Sequence, residues 1–498
     1  MNEWAELDRV LSTLVASGSA EVREDGEWLA ELQGLHCELR GQGKSALVHL
    51  WSDARNLTRR VLRVREQSDD HIVLEVQRFG RSKPGRLEFL RTESARPAGH
   101  ISREQFRARL GRMLTERFPD ATIDALTAAP DLEHSFSGVY VRGRMREASH
   151  SWAILAVPPD EGASAAEGAL AFGLLWLDWT RSHSEHHPIR GLRLFVPEDA
   201  SKYVRGRVSG LFSDVRVEIF EFSEPYSGIR EIDTADAGNL ESWLVPRREA
   251  ESACVEARRA MERIHALAVH MPPAGNEITT RLVPGTNEVA LQFRGLEFGR
   301  WSRSGIEFGL NDTRERLTES NESALDRLVR RLDLHRNMYA DDVNHALYRA
   351  APERWLETLV LKDPTRLDAQ LDASCFYSQV PAVAAGDRGV IDLLGVTRRG
   401  RLVVIELKAS EDIQLPLQAI DYWLRVRRHQ RDGDLERYGY FTGLNLDPRP
   451  PLVWLVAPGL RFHASTDTLL RYLSHEIEIT RIGLSENWRR GLKVIFRQ

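Results

Sequence analysis

Two acidic residues and a lysine near the end of the chain have the types and spacing of a divalent-cation site. Asp392 lies in one apolar run, and Glu406 and Lys408 close the next apolar run. Because Glu406 and Lys408 flank Leu407, an extended strand points both side chains to the same face. The 406 − 392 = 14 positions between the two acids are enough for an antiparallel hairpin that brings the carboxylates together. Two close carboxylates repel each other unless a cation lies between them, and the pattern therefore predicts a Mg²⁺ or Mn²⁺ site.

The residues around this predicted site could assist chemistry on a phosphate ester. Lys408, one pleat from the cation, could orient a water molecule or neutralise the charge that grows on a phosphoryl group. The helix that follows places Gln418 and Tyr422 one turn apart on the same side. An earlier predicted helix, which opens at Pro352, carries Glu357 near the edge of its apolar stripe.

This order of residues resembles a known nuclease superfamily. Asp392, then Glu406-Leu407-Lys408, then Gln418 to Tyr422 is similar to the PD-(D/E)xK nucleases, with the glutamine-xxx-tyrosine helix of their RecB-like members. Glu357 and the pair Gln379-Val380 resemble the first helix and the first strand of the NucS-like branch.

The resemblance covers about Ala351 to Pro458, under a third of the chain. It implies that Asp392 and Glu406 are metal ligands, assisted by the backbone carbonyl of Leu407. It further implies that Lys408 is the catalytic lysine.

The resemblance also assigns the remaining candidate residues. Glu357 would be an auxiliary acid on the first helix, while Gln418 and Tyr422 would position substrate or metal. Glu353, one turn before Glu357 on the same helical face, is a rival for the auxiliary role. The chain departs from the superfamily pattern at Ile391, which stands where the proline before the first acid would be.

The activity that the resemblance implies is Mg²⁺- or Mn²⁺-dependent hydrolysis of phosphodiester bonds in a nucleic acid, with DNA favoured over RNA and a role in repair or defence. Two alternatives stay open. The first is a catalytically silent, nuclease-like scaffold that binds nucleic acid or a partner protein. The second is a defence nuclease that a ligand in the upstream domains controls, and homo-oligomer formation is open as well.

Changes in the spacing of apolar residues divide the chain into four parts of an α/β protein. The last part is expected to form a restriction-endonuclease-like mixed sheet flanked by helices, and the third to contain helices at about 247–269 and Ala340 to Arg349. The predicted parts are a β-rich N-terminal domain at 1–98, an α/β domain at 99–245, a helical and β connector at 246–350, and the nuclease-like domain at 351–498.

The order of strands and helices in the second part resembles that of the last, which suggests an old duplication. A degenerate copy of this kind could not hold a metal. The alternative is that many α/β domains share this alternation. When the apolar runs of the two parts are aligned, Ala156 falls at the position of Glu406 and Pro158 at that of Lys408. Val141 lies near the position of Asp392.

Composition limits the classes of protein to consider. The chain has 498 residues, of which 42% are hydrophobic and 28% charged, and its formal net charge is −5. No apolar run is long enough to cross a bilayer, and the first residues lack the pattern of a secretory signal, so we expect a cytoplasmic protein without membrane contact. A basic cluster between Arg481 and Gln498 is a place where a phosphate-binding track could lie, although a solvated basic face is the more common explanation of such a cluster.

Overall fold

The chain is a mixed α/β protein, as its sequence predicts. The computed structural model describes residues 3–91, 103–235, 244, 255 and 277–498, with gaps at 17–19, 25–26, 32–35, 43–44, 53–54, 69, 78–83, 132–133, 135, 185–186, 224–227, 284–285, 287, 311–313, 344 and 385–386. The helix predicted at 247–269 lies outside the described residues. None of the helices in the described part is long and apolar enough to cross a membrane.

The N-terminal residues form a seven-stranded antiparallel sheet covered by one helix. Alternating apolar residues such as Val22, Val48 and Phe89 bury one face of the sheet against Leu7 and Leu11 of that helix. The strand order is β2-β1-β7-β6-β5-β4-β3. The elements are α1 (Glu3–Ala16), β1 (Ala20–Glu24), β2 (Glu27–Glu31), β3 (His36–Gln42), β4 (Ser45–Ser52), β5 (Arg55–Gln67), β6 (His71–Gln77) and β7 (Gly85–Arg91).

The next residues form a six-stranded mixed sheet in the order β13-β12-β11-β10-β9-β8. Strands β10, β11 and β12 are parallel, and the outer strands pair antiparallel. Helix α3 packs on one face and α2 on the other. The elements are α2 (Arg103–Arg117), β8 (Thr122–Thr127), β9 (Val141–Arg146), β10 (Ser151–Ala156), α3 (Gly162–Ser182), β11 (Ile189–Pro197), α4 (Arg205–Val208), β12 (Arg216–Phe222) and β13 (Ile229–Ile232).

A five-stranded antiparallel sheet and two helices connect this region to the last one. The helix predicted from Ala340 to Arg349 is wrong at its start, because His345 adopts an extended backbone and its side chain accepts a hydrogen bond from Leu347 N–H as the N-cap. The elements are β14 (Ile278–Leu282), β15 (Val289–Phe293), β16 (Leu296–Ser302), β17 (Gly305–Phe308), β18 (Glu315–Arg316), α5 (Glu322–His335) and α6 (Ala346–Arg349).

The C-terminal residues form a second six-stranded mixed sheet, in the order β19-β20-β21-β22-β23-β24. Strands β21, β22 and β23 are parallel, and β21 is buried along its whole length. The elements are α7 (Pro352–Lys362), β19 (Leu371–Ala384), β20 (Asp387–Thr397), β21 (Leu402–Leu407), α8 (Leu415–Arg431), α9 (Asp434–Arg437), β22 (Leu452–Pro458), α10 (Thr466–Arg471), β23 (Ile479–Leu484) and β24 (Val494–Arg497).

The two six-stranded sheets have the same strand order and the same pattern of parallel and antiparallel pairs. Each has a helix before its first strand, a long helix between its third and fourth strands, and a short helix before its fifth. Different strand orders would have contradicted the predicted duplication, and the shared order leaves that prediction standing.

Backbone hydrogen bonds set the correspondence between the two sheets. The N–H of Val157 donates to the carbonyl of Phe195, and the N–H of Lys408 donates to the carbonyl of Val456. Each acceptor lies two residues before the proline that ends its strand. Val157 therefore matches Lys408.

In the same register, Leu155 matches Glu406, and its hairpin partner Arg142 matches Asp392. The alignment from sequence was wrong by one residue. Two uniform apolar runs contain no polar residue that shows which side chains point to which face of the sheet. A slip of one residue on a strand turns every side chain to the opposite face. The residues misassigned by that slip were Val141, Ala156 and Pro158.

Candidate metal centre

The two predicted metal ligands leave neighbouring strands at the same level. Strands β20 and β21 pair antiparallel, with Leu393 opposite Ile405. Asp392 precedes Leu393 and Glu406 follows Ile405, so the two acids lie side by side on the paired strands. The amide N–H of Leu407 donates a hydrogen bond of 3.1 Å to Oδ2 of Asp392. This bond holds the Asp392 side chain against the end of β21.

Both carboxyl groups are difficult to ionise without a cation. Glu406 is 3% exposed, and its Oε2 is a buried oxygen that has no hydrogen-bond partner in the part of the chain that the structure describes. Burial raises the pKa of Asp392 and Glu406, and the charge of Asp392 raises the pKa of Glu406 further. Since a buried carboxylate needs a compensating charge, the open oxygen of Glu406 suits a cation ligand.

Lys408 lies on the same face of β21 as Glu406, as the sequence predicts. Its Nζ is 3.5 Å from Oε1 of Glu406 and 3.0 Å from Oδ2 of Asp412. Burial alone would lower the pKa of Lys408, but the carboxylates of Glu406 and Asp412 outweigh it and raise this pKa above its ordinary value. Lys408 is therefore a fixed cation at neutral pH. Asp412 is a further acidic residue of the centre that was not predicted, although its position four residues after Lys408 could have indicated it.

Helix α7 brings both of its acidic candidates to this end of the sheet. Oε1 of Glu353 accepts a hydrogen bond of 3.2 Å from the N–H of Ala409, just beyond β21. Glu357 is buried and forms an ion pair of 2.8 Å with Arg354. Burial and the charge of Asp392 raise the pKa of Glu357 to about 7 against the opposing effect of Arg354. The geometry does not choose between the two glutamates.

Helix α8 turns Tyr422 toward the acidic pair. Burial raises the pKa of Tyr422 well above its ordinary value, and the negative charges of Glu406 and Asp392 raise it further. Gln418, one turn earlier, has a side-chain oxygen that is buried and has no hydrogen-bond partner among the described residues. Such an oxygen can accept a hydrogen bond from a ligand.

Three arginines that the sequence analysis did not single out also influence the centre. Arg354 lies 3.9 Å from Oδ1 of Asp392. Arg207, on α4, has a positive charge that opposes the rise in the pKa of Tyr422. The pKa of Arg281, on β14, is lowered by burial and by the charge of Arg354. Arg207 and Arg281 come from distant segments, so no local spacing in the sequence could have revealed them.

The residues present fit a hard divalent cation. The carboxylates of Asp392 and Glu406, the second of which has a buried oxygen without a partner among the described residues, provide the negative charge and the oxygen ligands that Mg²⁺ prefers. Within the described residues, no group of three or more histidine, cysteine, aspartate or glutamate side chains could hold a metal. Because Mg²⁺ commonly uses only one or two carboxylates and keeps several water molecules, a pair of acids is sufficient.

The basic C-terminal cluster is used largely inside the protein. Arg481 pairs with Asp467 at 2.6 Å, and Arg497 pairs with Asp368. The guanidinium group of Arg489 stacks over the ring of Trp488, 4.2 Å from its centroid. Most of the predicted phosphate track is therefore committed to internal contacts.

No protein-family model matches this chain, and no curated protein matches it.

Proposed function

We propose that this protein is a Mg²⁺- or Mn²⁺-dependent deoxyribonuclease whose C-terminal residues, 351–498, have a restriction-endonuclease-like fold. The observation that carries the proposal is the convergence of Asp392, Glu406 and Lys408 at the end of two paired strands, with Oε2 of Glu406 left without a partner. Burying two carboxylates close to each other costs free energy even beside an ammonium group. A bound cation would offset the repulsion between them.

Each residue would have a distinct role in the hydrolysis of a phosphodiester. Asp392 and Glu406 would hold the cation, which when bound supplies Lewis acidity and lowers the pKa of water. Lys408 would stabilise the negative charge that develops on the phosphoryl group, since its raised pKa keeps it protonated. Asp412 would hold Lys408 in place through the 3.0 Å ion pair.

Three further side chains would prepare the site for substrate. Tyr422 would keep its proton, because its pKa is raised, and could donate a hydrogen bond to a phosphate oxygen or to water. The buried oxygen of Gln418 could accept a hydrogen bond from the attacking water. Glu357, with a pKa of about 7, could exchange a proton near neutral pH.

The proposal is tested by measuring cleavage of duplex and single-stranded DNA with Mg²⁺ or Mn²⁺ added. We expect wild type to cut and Lys408→Ala to lose roughly 100-fold or more of the rate. Lys202→Ala, a change at an exposed lysine in the 3-10 turn between β11 and α4, serves as the matched control. Equal cutting by wild type and Lys408→Ala would reject the role of Lys408.

The same experiment distinguishes the alternative of a silent scaffold. A scaffold would bind DNA or a partner without cutting under any divalent ion, and Asp392→Asn would leave its binding unchanged. A nuclease of the proposed kind loses cutting in Asp392→Asn while its circular dichroism spectrum stays that of wild type.

A further inference from the structure

The two six-stranded sheets share one hydrophobic core. We call residues 103–232 the middle half and residues 352–497 the C-terminal half. Leu170 and Leu174 of α3 belong to the same buried cluster as Ile420 of α8, Leu455 of β22 and Leu469 of α10. The halves therefore pack against each other through a continuous buried apolar cluster.

Equivalent residues of the two halves meet across this core. Leu211 and Leu473 form an isolated antiparallel bridge. The residue after each leucine donates its N–H to the carbonyl of the residue before the other, at 2.9 Å in both directions. Leu211 lies 6 positions before Val217, and Leu473 lies 6 positions before Ile479. Val217 and Ile479 hold matching places in the two sheets.

The helices repeat this reciprocity. Helix α3 contacts α10, and its counterpart α8 contacts α4, which is the counterpart of α10. The Tyr472 hydroxyl donates to Asp178 of α3 at 3.1 Å, and Ile420 of α8 packs directly against Gly210 after α4. Each long helix therefore contacts, in the other half, the counterpart of the short helix of its own half. Reciprocal contacts of this kind are those of a twofold-symmetric dimer.

The middle half has lost the chemistry of the centre while keeping its position. Arg142, Leu155 and Val157 stand where the C-terminal half has the two acids and the lysine. The guanidinium of Arg142 is buried 5.0 Å from the ring centroid of Phe136 and 5.6 Å from that of Trp176. A cation held against two aromatic rings repels a metal ion from this place by its charge and occupies the space itself.

The middle half nevertheless borders the intact centre. The side-chain nitrogen of Gln414, at the start of α8, lies close enough to Gly168 of α3 that an added Cβ would be only 2.6 Å away. Arg207 is anchored by a hydrogen bond of 3.1 Å from Nη1 to the carbonyl of Glu167, and its charge acts on Tyr422. The intact centre thus lies close to the twofold interface.

We propose that one chain acts on duplex DNA as a fused dimer and cuts only one strand at each encounter. Duplex DNA has a local twofold axis that relates its strands, and twofold proteins that bind it align their own axis with it. A dimer with two intact centres can cut both strands in one encounter, whereas this pseudo-dimer has one centre and a place blocked by Arg142. This inference rests on the proposed nuclease activity and adds its substrate and its product.

The test uses supercoiled plasmid and a single-stranded circle of the same sequence, with the full chain, Mg²⁺ or Mn²⁺, and DNA in excess over protein. We expect nicked circles to accumulate first, and linear duplex to follow only after a lag, as independent nicks come to lie opposite each other. Sedimentation of the protein with DNA should give one chain for each bound site. Lys408→Ala should abolish the nicks, which excludes a contaminating nuclease.

Three outcomes would overturn the inference. Linear product that forms without a lag shows that both strands are cut together, and the nuclease proposal then survives alone. Cutting of the single-stranded circle with the plasmid untouched rejects a duplex substrate, again without affecting the nuclease proposal. No cutting of either DNA under any divalent ion rejects both the inference and the activity on which it rests.

Discussion

Lys408 is held by Asp412 more closely than by Glu406, since its Nζ lies 3.0 Å from the first carboxylate and 3.5 Å from the second. Because the lysine lies closer to Asp412, Glu406 stays available to a cation, as its proposed role requires. Asp412 is thus a positioning residue for the lysine, and it is placed by the loop between β21 and α8 rather than by the sheet.

The first prediction concerns this ion pair. Asp412→Asn should lower kcat about tenfold, equivalent to roughly 1.4 kcal/mol, because Lys408 loses the contact that orients it. Asp412→Glu should restore part of the loss, and Glu411→Gln, a change at the exposed neighbour, should have no effect. Steady-state cleavage of a fluorescent duplex measures all three, and an Asp412→Asn enzyme as fast as wild type would contradict the positioning role.

The second prediction concerns metal binding without any cleavage. Mn²⁺ at about 100 times its dissociation constant should stabilise wild type by roughly 2.7 kcal/mol, measured by thermal unfolding. Glu406→Gln should abolish this stabilisation, whereas Glu476→Gln at an exposed site should keep it.

Glu406→Gln should also stabilise the metal-free protein, with a definite pH dependence. Burial and the charge of Asp392 raise the pKa of Glu406 in the folded state above its unfolded value. The contribution of Glu406 to the stability of wild type is therefore fully present below the unfolded pKa and is lost as pH rises and the buried carboxyl ionises. The advantage of Glu406→Gln should grow as pH rises from about 4.5, and a constant advantage would contradict the assigned cause.

The third prediction tests the interface between the halves at high pH. Burial and the charge of Asp178 raise the pKa of Tyr472 to about 12. Because the folded pKa lies above the unfolded one, this stabilisation is complete below about pH 10 and is lost as pH rises through 12. Tyr472→Phe should remove that loss between pH 10 and 12 and should cost about 1.5–3 kcal/mol at neutral pH, since a hydrogen bond to a charged acceptor is gone.

Chemical unfolding at pH 7, 10 and 11.5 measures the effect of Tyr472→Phe. Tyr203→Phe, at a partly buried tyrosine of the middle half, is the control for the other tyrosines. If wild type and Tyr472→Phe lose stability equally between pH 10 and 11.5, Tyr472 is not the group responsible.

The sequence predicted the centre better than it predicted what surrounds the centre. The hairpin that sets Asp392 beside Glu406 follows from short-range rules, namely alternation along strands and a turn in which Gly400 adopts a φ of +83°. Arg207 lies near the centre only because two segments that are far apart in sequence pack together. No periodicity in the sequence indicates such a contact. The one-residue error at Leu155 arose because apolar strands without polar residues lack phase information.

The fourth prediction tests whether the twofold interface supports the centre. A Cβ at Gly210 would overlap Cγ2 of Ile420, so Gly210→Ala must push α8 away from α4 or force Ile420 off its preferred rotamer. We expect a loss of roughly 1–3 kcal/mol in stability, as is usual for overpacking a core, together with slower cleavage because α8 carries Tyr422. Gly228→Ala, where no atom lies within 4 Å of the added Cβ, is the matched control.

A second substitution separates this contact from a general effect of alanine at Gly210. Ile420→Ala removes Cγ2, the atom that the new methyl group would meet, and should by itself cost about 2–5 kcal/mol. Combined with Gly210→Ala, it should destabilise the protein by less than the sum of the two single changes, because the smaller side chain makes room for the new methyl group. Additive losses would show that Gly210 and Ile420 do not limit each other, and the interface would then lack the tight contact on which its support of the centre depends.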